Sequence, residues 1–284
     1  MGRRSPRTAA PRGTPVLWRT AVYPRGPGAP RLGPDELHLW SARLCPPASV
    51  EQRLRQSLDD DERARAARFM MAHDRTRFVV AHGLLRHVLG RYLRVAPELI
   101  QYRYTNRGKP SLVLRRSAPR LQFNLSHSGD LALFAVVLRR RVGVDVERVQ
   151  PGRDTAGISA RFFSPGEAAT MRALGPDAQV EAFYNGWTRK EAYIKARGEG
   201  LSLPLDSFDV SLTPGEPAAL LRAAGGSREV RRWELVGLTP APGYAAAVAV
   251  EAGIRRIVGW TLALAPHETS RGGRGESDDD PAGA

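Results

Sequence analysis

The sequence predicts an α+β protein of two halves. Three observations carry this. Apolar side chains recur at helical spacing up to about Leu93, and from Ile100 the texture changes to short alternating runs. The same succession of helices and then strands returns from ARFFSPGE (160–167) onward. A faint echo between ARFM (67–70) and ARFF (160–163), each ahead of a helix and then strands, argues for two halves.

The first half spans residues 35–141. LHLWSARL (37–44) is a short strand candidate, and Ser49 with Gln52 forms a capping box for a helix through Leu54 and Leu58. RARAARFMMAHD is a second helical stretch. Val80, Leu84, Leu85, Val88, Leu89 and Tyr92 mark a long buried helix, inside which Gly83 costs about 1 kcal/mol relative to Ala and implies a close packing contact. IQYRY and SLVL are strands around the turn TNRGKP, and FNLSHSGD is a turn-rich segment leading into the buried strand LALFAVVL. In RVGVDVERV, Val142, Val144 and Val146 point one way while Gly143, Asp145 and Glu147 point the other.

The second half spans residues 142–265. Ser164, Pro165 and Glu167 cap a helix, a further helix runs over 180–197, and Gly198 and Gly200 stop it. LPLDSFDVSL, VRRWELV, YAAAVAVEA and IRRIVGWTLAL are strand candidates. Outside the halves, residues 1–34 are an Arg/Pro/Gly-rich extension and 266–284 an acidic tail, both expected to be disordered.

The net charge of +14 is uneven, with seven arginines and no acid in residues 1–34. Such a field attracts nucleic acid, anionic membrane, acidic proteins or polyphosphate ligands alike. No apolar stretch approaches the ~20 residues of a membrane span. The single Cys45 excludes an internal disulfide framework and a cysteine-rich zinc site, and fits a cytoplasmic setting. No Walker P-loop, G-x-G-x-x-G opening a helix, or H-E-x-x-H is present.

Arginine is the ordinary cation of this chain. Of 43 basic residues only Lys109, Lys190 and Lys195 are lysine. Trp187, Glu191 and Lys195 lie at i, i+4 and i+8, one stripe of a helix, where a compact ammonium facing a cleft can do what a guanidinium cannot. Asp145 and Glu147 stand two apart on a strand, about 7 Å along one face. Charge there is expensive amid valines, and paired carboxylates at such a place favour Mg²⁺ or Mn²⁺. RGKP (107–110) and NLSHSG (124–129) add a Lys, a Ser, a His and free N–H groups suited to phosphate oxygens. From the residues alone, this is a metal-dependent enzyme acting on a phosphate or pyrophosphate. A metal-dependent nuclease fits less well, because Glu191 and Lys195 are four apart on a helix. An inert nucleic-acid-binding module leaves the acidic triad unexplained.

With GKP, FNLSHSG, GVDVE and W-x-x-KEAYIKARGEGLSLPLDSF in this order, residues 37–255 resemble the 4′-phosphopantetheinyl transferase family. The likeness is to its longer, two-halved, surfactin-synthetase-activating type. The resemblance implies the pseudo-dimer fold with coenzyme A in the cleft between the halves. It also implies holo-[acyl-carrier-protein] synthase activity: phosphopantetheine passes from coenzyme A to a carrier-protein serine, and 3′,5′-ADP leaves. Asp145, Glu147 and Glu191 would hold Mg²⁺. Glu191 would also serve as a base, and Lys195, flanked by Lys190, would meet the pyrophosphate. Arg107, Gly108, Lys109 and Pro110 would lie near adenine, Ser126 and His127 at coenzyme A phosphates, and Arg65 at the 3′-phosphate. Some relatives carry a lysine where this chain has Glu62. The implied partners are acyl or peptidyl carrier proteins, with no nucleic acid or membrane, and the implied state is a monomer.

Overall fold

The computed structural model describes residues 17–23, 30–114, 118–150 and 152–264. The first half contributes β1 (Leu17–Tyr23), β2 (Glu36–Arg43), α1 (Ala48–Gln56), α2 (Asp60–Ala67) and α3 (Ala72–Leu93). It continues with β3 (Tyr102–Tyr104), β4 (Pro110–Leu112), β5 (Leu121–Ser128) and β6 (Leu131–Leu138). Then come β7 (Val142–Arg148), α4 (Thr155–Phe162), α5 (Pro165–Arg172), α6 (Pro176–Arg197), β8 (Asp209–Val210) and β9 (Leu220–Arg222). The described residues end with α7 (Gly226–Arg232), β10 (Trp233–Leu238), β11 (Tyr244–Glu251) and β12 (Arg256–Leu264).

Four layers result, because two sheets bury both of their faces. One sheet has the order β1-β12-β2-β6-β5 and the other β10-β11-β7. Alternate residues of β2 and β6, such as Trp40, Phe134 and Val136, pack under Leu84, Leu85 and Val88 of α3. Their opposite faces, Leu37, Leu39, Leu133 and Val137, meet Val142, Val144, Val146, Val248 and Val250 of the second sheet. On its far side that sheet presents Ala247 and Ala249 to Ala192, Tyr193 and Ala196 of α6. Each half thus carries one long helix of 22 residues on the outside of its sheet. The expected α+β architecture of two halves is what the chain adopts.

Gly83 has the close contact its position implied: a Cβ there would stand 2.8 Å from Leu54 Cβ and 2.9 Å from the Leu54 carbonyl oxygen, so α1 lies directly on α3. The capping box of Ser164 and Glu167 forms. That of Ser49 does not, because the helix begins at Ala48 after Pro47 and Ser49 already lies in its first turn. The stretch RARAARFMMAHD is not one helix. Asp59 and Glu62 make a capping box for α2, and the extended backbone at Met71 separates it from α3.

Three further expectations are corrected by pairing. FNLSHSGD is a strand as far as Ser128, since β5 pairs antiparallel with β6 from Leu121↔Leu138 to Ser128↔Leu131. VRRWELV is a strand only from Trp233, its start being part of α7. The extension 1–34 is not wholly unstructured: β1 pairs parallel with β12 in the register Leu17↔Val258 to Tyr23↔Leu264. β12 also pairs parallel with β2, so the last strand of the second segment completes the sheet of the first. The acidic tail lies outside the described residues.

Candidate active site

Between the halves, β7 pairs with β11 on one edge and runs along β5 on the other, where its backbone donors are satisfied by side chains. Asn124 Oδ1 accepts from Val144 N at 2.8 Å, Ser126 Oγ from Val146 N at 3.3 Å, and Ser128 Oγ from Arg148 N at 3.1 Å. This period of two places the same hydroxyls beside the acidic pair. Ser126 Oγ donates to Asp145 Oδ1 at 3.0 Å, and Ser128 Oγ donates to Glu147 Oε2 at 2.8 Å. Asp145 is 3% exposed, which leaves almost no water to solvate its charge. Its second oxygen, Oδ2, is buried and accepts no hydrogen bond.

Helix α6 closes over this pair. A side chain at Gly143 would place Cβ 2.1 Å from the Ala192 carbonyl oxygen, so the helix backbone rests on the strand. On that face Lys195 Nζ donates to Asp145 Oδ1 at 2.6 Å and to Ser126 Oγ at 3.0 Å. Glu191, one turn earlier, is half-buried. Burial, then the charge of Asp145, pushes the Glu191 carboxyl above its ordinary range; Lys195 opposes this and Glu147 adds to it. Glu147 is raised for the same two leading reasons. The structure therefore brings together Asp145, Glu147, Glu191, Lys195 and Ser126. As the side chains stand, no three or more His, Cys, Asp or Glu among the described residues are arranged to hold a metal ion.

His127, next on β5, is exposed. The hairpin β3–β4 carries Arg107, Gly108, Lys109 and Pro110 to the C-terminal end of α6. There Arg107 Nη1 donates to the Glu199 carbonyl at 3.0 Å. Lys109 Nζ donates to the carbonyls of Lys195, Val142 and Ala196. Arg65 is exposed, its guanidinium over the Phe78 ring and beside the Tyr104 hydroxyl of the same hairpin. Glu62 is absent from the cleft surface. It is 0% exposed and bonds Arg86 Nε at 2.5 Å and His82 Nδ1 at 3.2 Å.

The match to known proteins follows both halves. The family described as the 4′-phosphopantetheinyl transferase superfamily matches residues 141–249. The one described as 4′-phosphopantetheinyl transferase, N-terminal, matches residues 46–139. The 4′-phosphopantetheinyl transferase HetI of Nostoc sp. is 42% identical over 216 residues, 76% of this chain and 88% of that protein. This chain is a 4′-phosphopantetheinyl transferase. A 4′-phosphopantetheinyl transferase of Bacillus subtilis is 36% identical, over 58% of this chain and 71% of its own. The 4′-phosphopantetheinyl transferase Sfp of Bacillus subtilis strain 168 is 32% identical, over 62% and 77%.

Two features of the transferase escape the linear reading. Asn124 and Ser128 hold β7 and Glu147 in place, and the alternation N-x-S-x-S in a strand-forming context was their signal. Lys190, expected to flank the pyrophosphate contact, faces away from the cleft. Its ammonium is fully buried and bonds Glu167 Oε2 at 2.7 Å and the carbonyls of Leu205 at 2.7 Å and Phe208 at 2.6 Å. On a helix, neighbours in sequence lie about 100° apart, so Lys190 and Glu191 serve different faces of α6.

Proposed function

We propose that the transferase moves 4′-phosphopantetheine from coenzyme A to a serine of acyl or peptidyl carrier proteins in the cleft between its two halves, beside the acidic cluster of β7 and α6. The observation that carries this is the cluster of Asp145, Glu147, Glu191 and Lys195 drawn from those two facing elements. In the transfer, the serine oxygen forms a bond to the phosphorus bearing pantetheine. The bond from that phosphorus to the oxygen of 3′,5′-ADP breaks, and the serine proton passes to Glu191 directly or through water. A carboxyl whose pKa is raised by burial and like charge is suited to accept it. Lys195 places an ammonium at the same point, where it offsets the charge of the pyrophosphate and of the departing ADP.

The donor set fits a divalent cation. Asp145 Oδ2 is buried without a partner, and the two raised glutamates face the same charge, so an oxygen-only site for Mg²⁺ or Mn²⁺ would relieve all three. Asp145, Glu147 and Glu191 would hold the ion, which supplies Lewis-acid stabilisation to a phosphoryl group when bound. Ser126 keeps Asp145 oriented, while His127, Arg65 and the hairpin at 107–110 line the approach for the nucleotide end of coenzyme A. One chain supplies both walls of the cleft, which supports a monomer. No helix among the described residues is long and apolar enough to cross a membrane, and a cytoplasmic setting suits the carrier-protein partners.

The test is direct. Full-length protein with apo-carrier protein, coenzyme A and Mg²⁺ should add the mass of one phosphopantetheine group to the carrier. Several carriers all remaining apo would overturn the reading.

A further inference from the structure

We propose that Lys109 is a positioning residue. Its ammonium locks the C-terminal end of α6 to the β3–β4 hairpin and so holds Lys195 and Glu191 in register with the first half. This rests on the transferase reading above, and it takes the Lys109 side chain out of the contacts to coenzyme A.

The last carbonyls of a helix have no partner within it, and the helix dipole makes that end negative. In α6, Gly198 N satisfies the Ile194 carbonyl at 2.9 Å. The next two, Lys195 and Ala196, receive Lys109 Nζ at 2.5 Å and 3.3 Å. The third proton of the ammonium has the Val142 carbonyl at 3.1 Å, where β7 begins. Three acceptors match three donors, leaving none for a phosphate. One side chain from the first half thus ties together the strand bearing Asp145 and the helix bearing Glu191 and Lys195.

The hairpin is built to hold that side chain still. Gly108 takes φ of 79°, and Gly108 N donates to the Thr105 carbonyl at 2.8 Å. Lys109 N donates to Thr105 Oγ1 at 3.1 Å, and Thr105 N donates to the Lys109 carbonyl at 3.0 Å. Arg107 adds a second tie to the same helix end through the Glu199 carbonyl. Three carbonyls converging on one point suit a tetrahedral ammonium, whereas a planar guanidinium directs its protons outward in a fork. This accounts for a lysine where the chain otherwise uses arginine.

The experiment compares Lys109→Arg and Lys109→Met with the unaltered full-length protein. It reads kcat and KM for coenzyme A in carrier modification, and amide hydrogen exchange over residues 192–200 without coenzyme A. Both variants should lose about tenfold or more in kcat, with KM for coenzyme A within about threefold. Exchange at residues 194–198 should accelerate about tenfold in both. The proposal is overturned if Lys109→Arg restores kcat, or if Lys109→Met acts on KM for coenzyme A alone with exchange unchanged. If the unaltered protein modifies no carrier, the transferase reading fails, and the exchange comparison still decides the tie by itself. Should Lys109→Met not fold, Lys109→Arg carries both readouts.

Discussion

Glu191 is an i−4 neighbour of Lys195 that makes no use of it as a surface ion pair, because Lys195 reaches across to Asp145 instead. That choice leaves Glu191 crowded by like charge, which favours the base role proposed for it. Glu191→Gln keeps the shape and removes the basicity. We expect carrier modification to fall by about 10² or more while coenzyme A binding, followed by calorimetry, changes little. Normal turnover in that variant would contradict the assigned role. The three lysines share one physical job, each meeting converging oxygen acceptors at short range. Their rarity was legible in the sequence. Their partners were not, because Lys109 and Lys190 bond backbone carbonyls contributed by segments distant along the chain.

Helix α6 shows how an element serves two purposes from two faces. Its inner face lies against β7, where Gly143 leaves no room for a methyl group. Gly143→Ala should therefore push α6 away from the acidic pair. We expect a loss of about 1–3 kcal/mol in urea denaturation, together with loss of transfer. Its other face is fixed by Lys190, whose partner Glu167 also accepts from Ser164 N at 2.9 Å and Val210 N at 2.8 Å. Lys190→Ala would leave that carboxylate buried and uncompensated, at a cost of about 3–5 kcal/mol. Lys190→Met with Glu167→Gln should recover part of this. A single variant as stable as the parent would show that the pair contributes little. The helical period of WTRKEAYIK announced the helix and its Trp187–Glu191–Lys195 stripe. Which residues approach that stripe is set by β7, which the helical period does not encode.

For the whole molecule, the last strand matters as much as the first. β12 lies between β1 and β2, so a chain ending at residue 255 would open the first sheet in its interior. Such a truncation should lose the cooperative thermal transition and aggregate. Two-state melting of the shortened chain would refute this. Acid should also act globally. His38 sits between Tyr92 and Glu36, and burial holds its pKa down to about 4 from an ordinary 6.5. His87 is held at about 4, again mainly by burial. The unfolded chain takes up these protons first. Stability is then complete above about pH 6.5 and falls toward pH 4, by up to about 1.4 kcal/mol per unit for each group. Urea midpoints at pH 7.5, 6 and 5 should fall in that order, in a window where carboxylates of ordinary pKa are still ionised. A midpoint constant across it would mean that neither histidine is held neutral.

The two-halved α+β plan, the alternation that aims Asp145 and Glu147 away from the valines, the α6 stripe and the family resemblance could all be read along the chain. These are local or near-local properties, set by the periods of strand and helix and by motif order. That FNLSHS is a strand whose polar side chains serve β7 emerges only in the folded chain. The same holds for β12 crossing into the first sheet, Glu62 turning inward to Arg86, and Lys109 and Lys190 capping distant carbonyls. Each of these depends on which unpaired donor or acceptor another segment presents, and that is fixed by packing rather than by spacing along the chain.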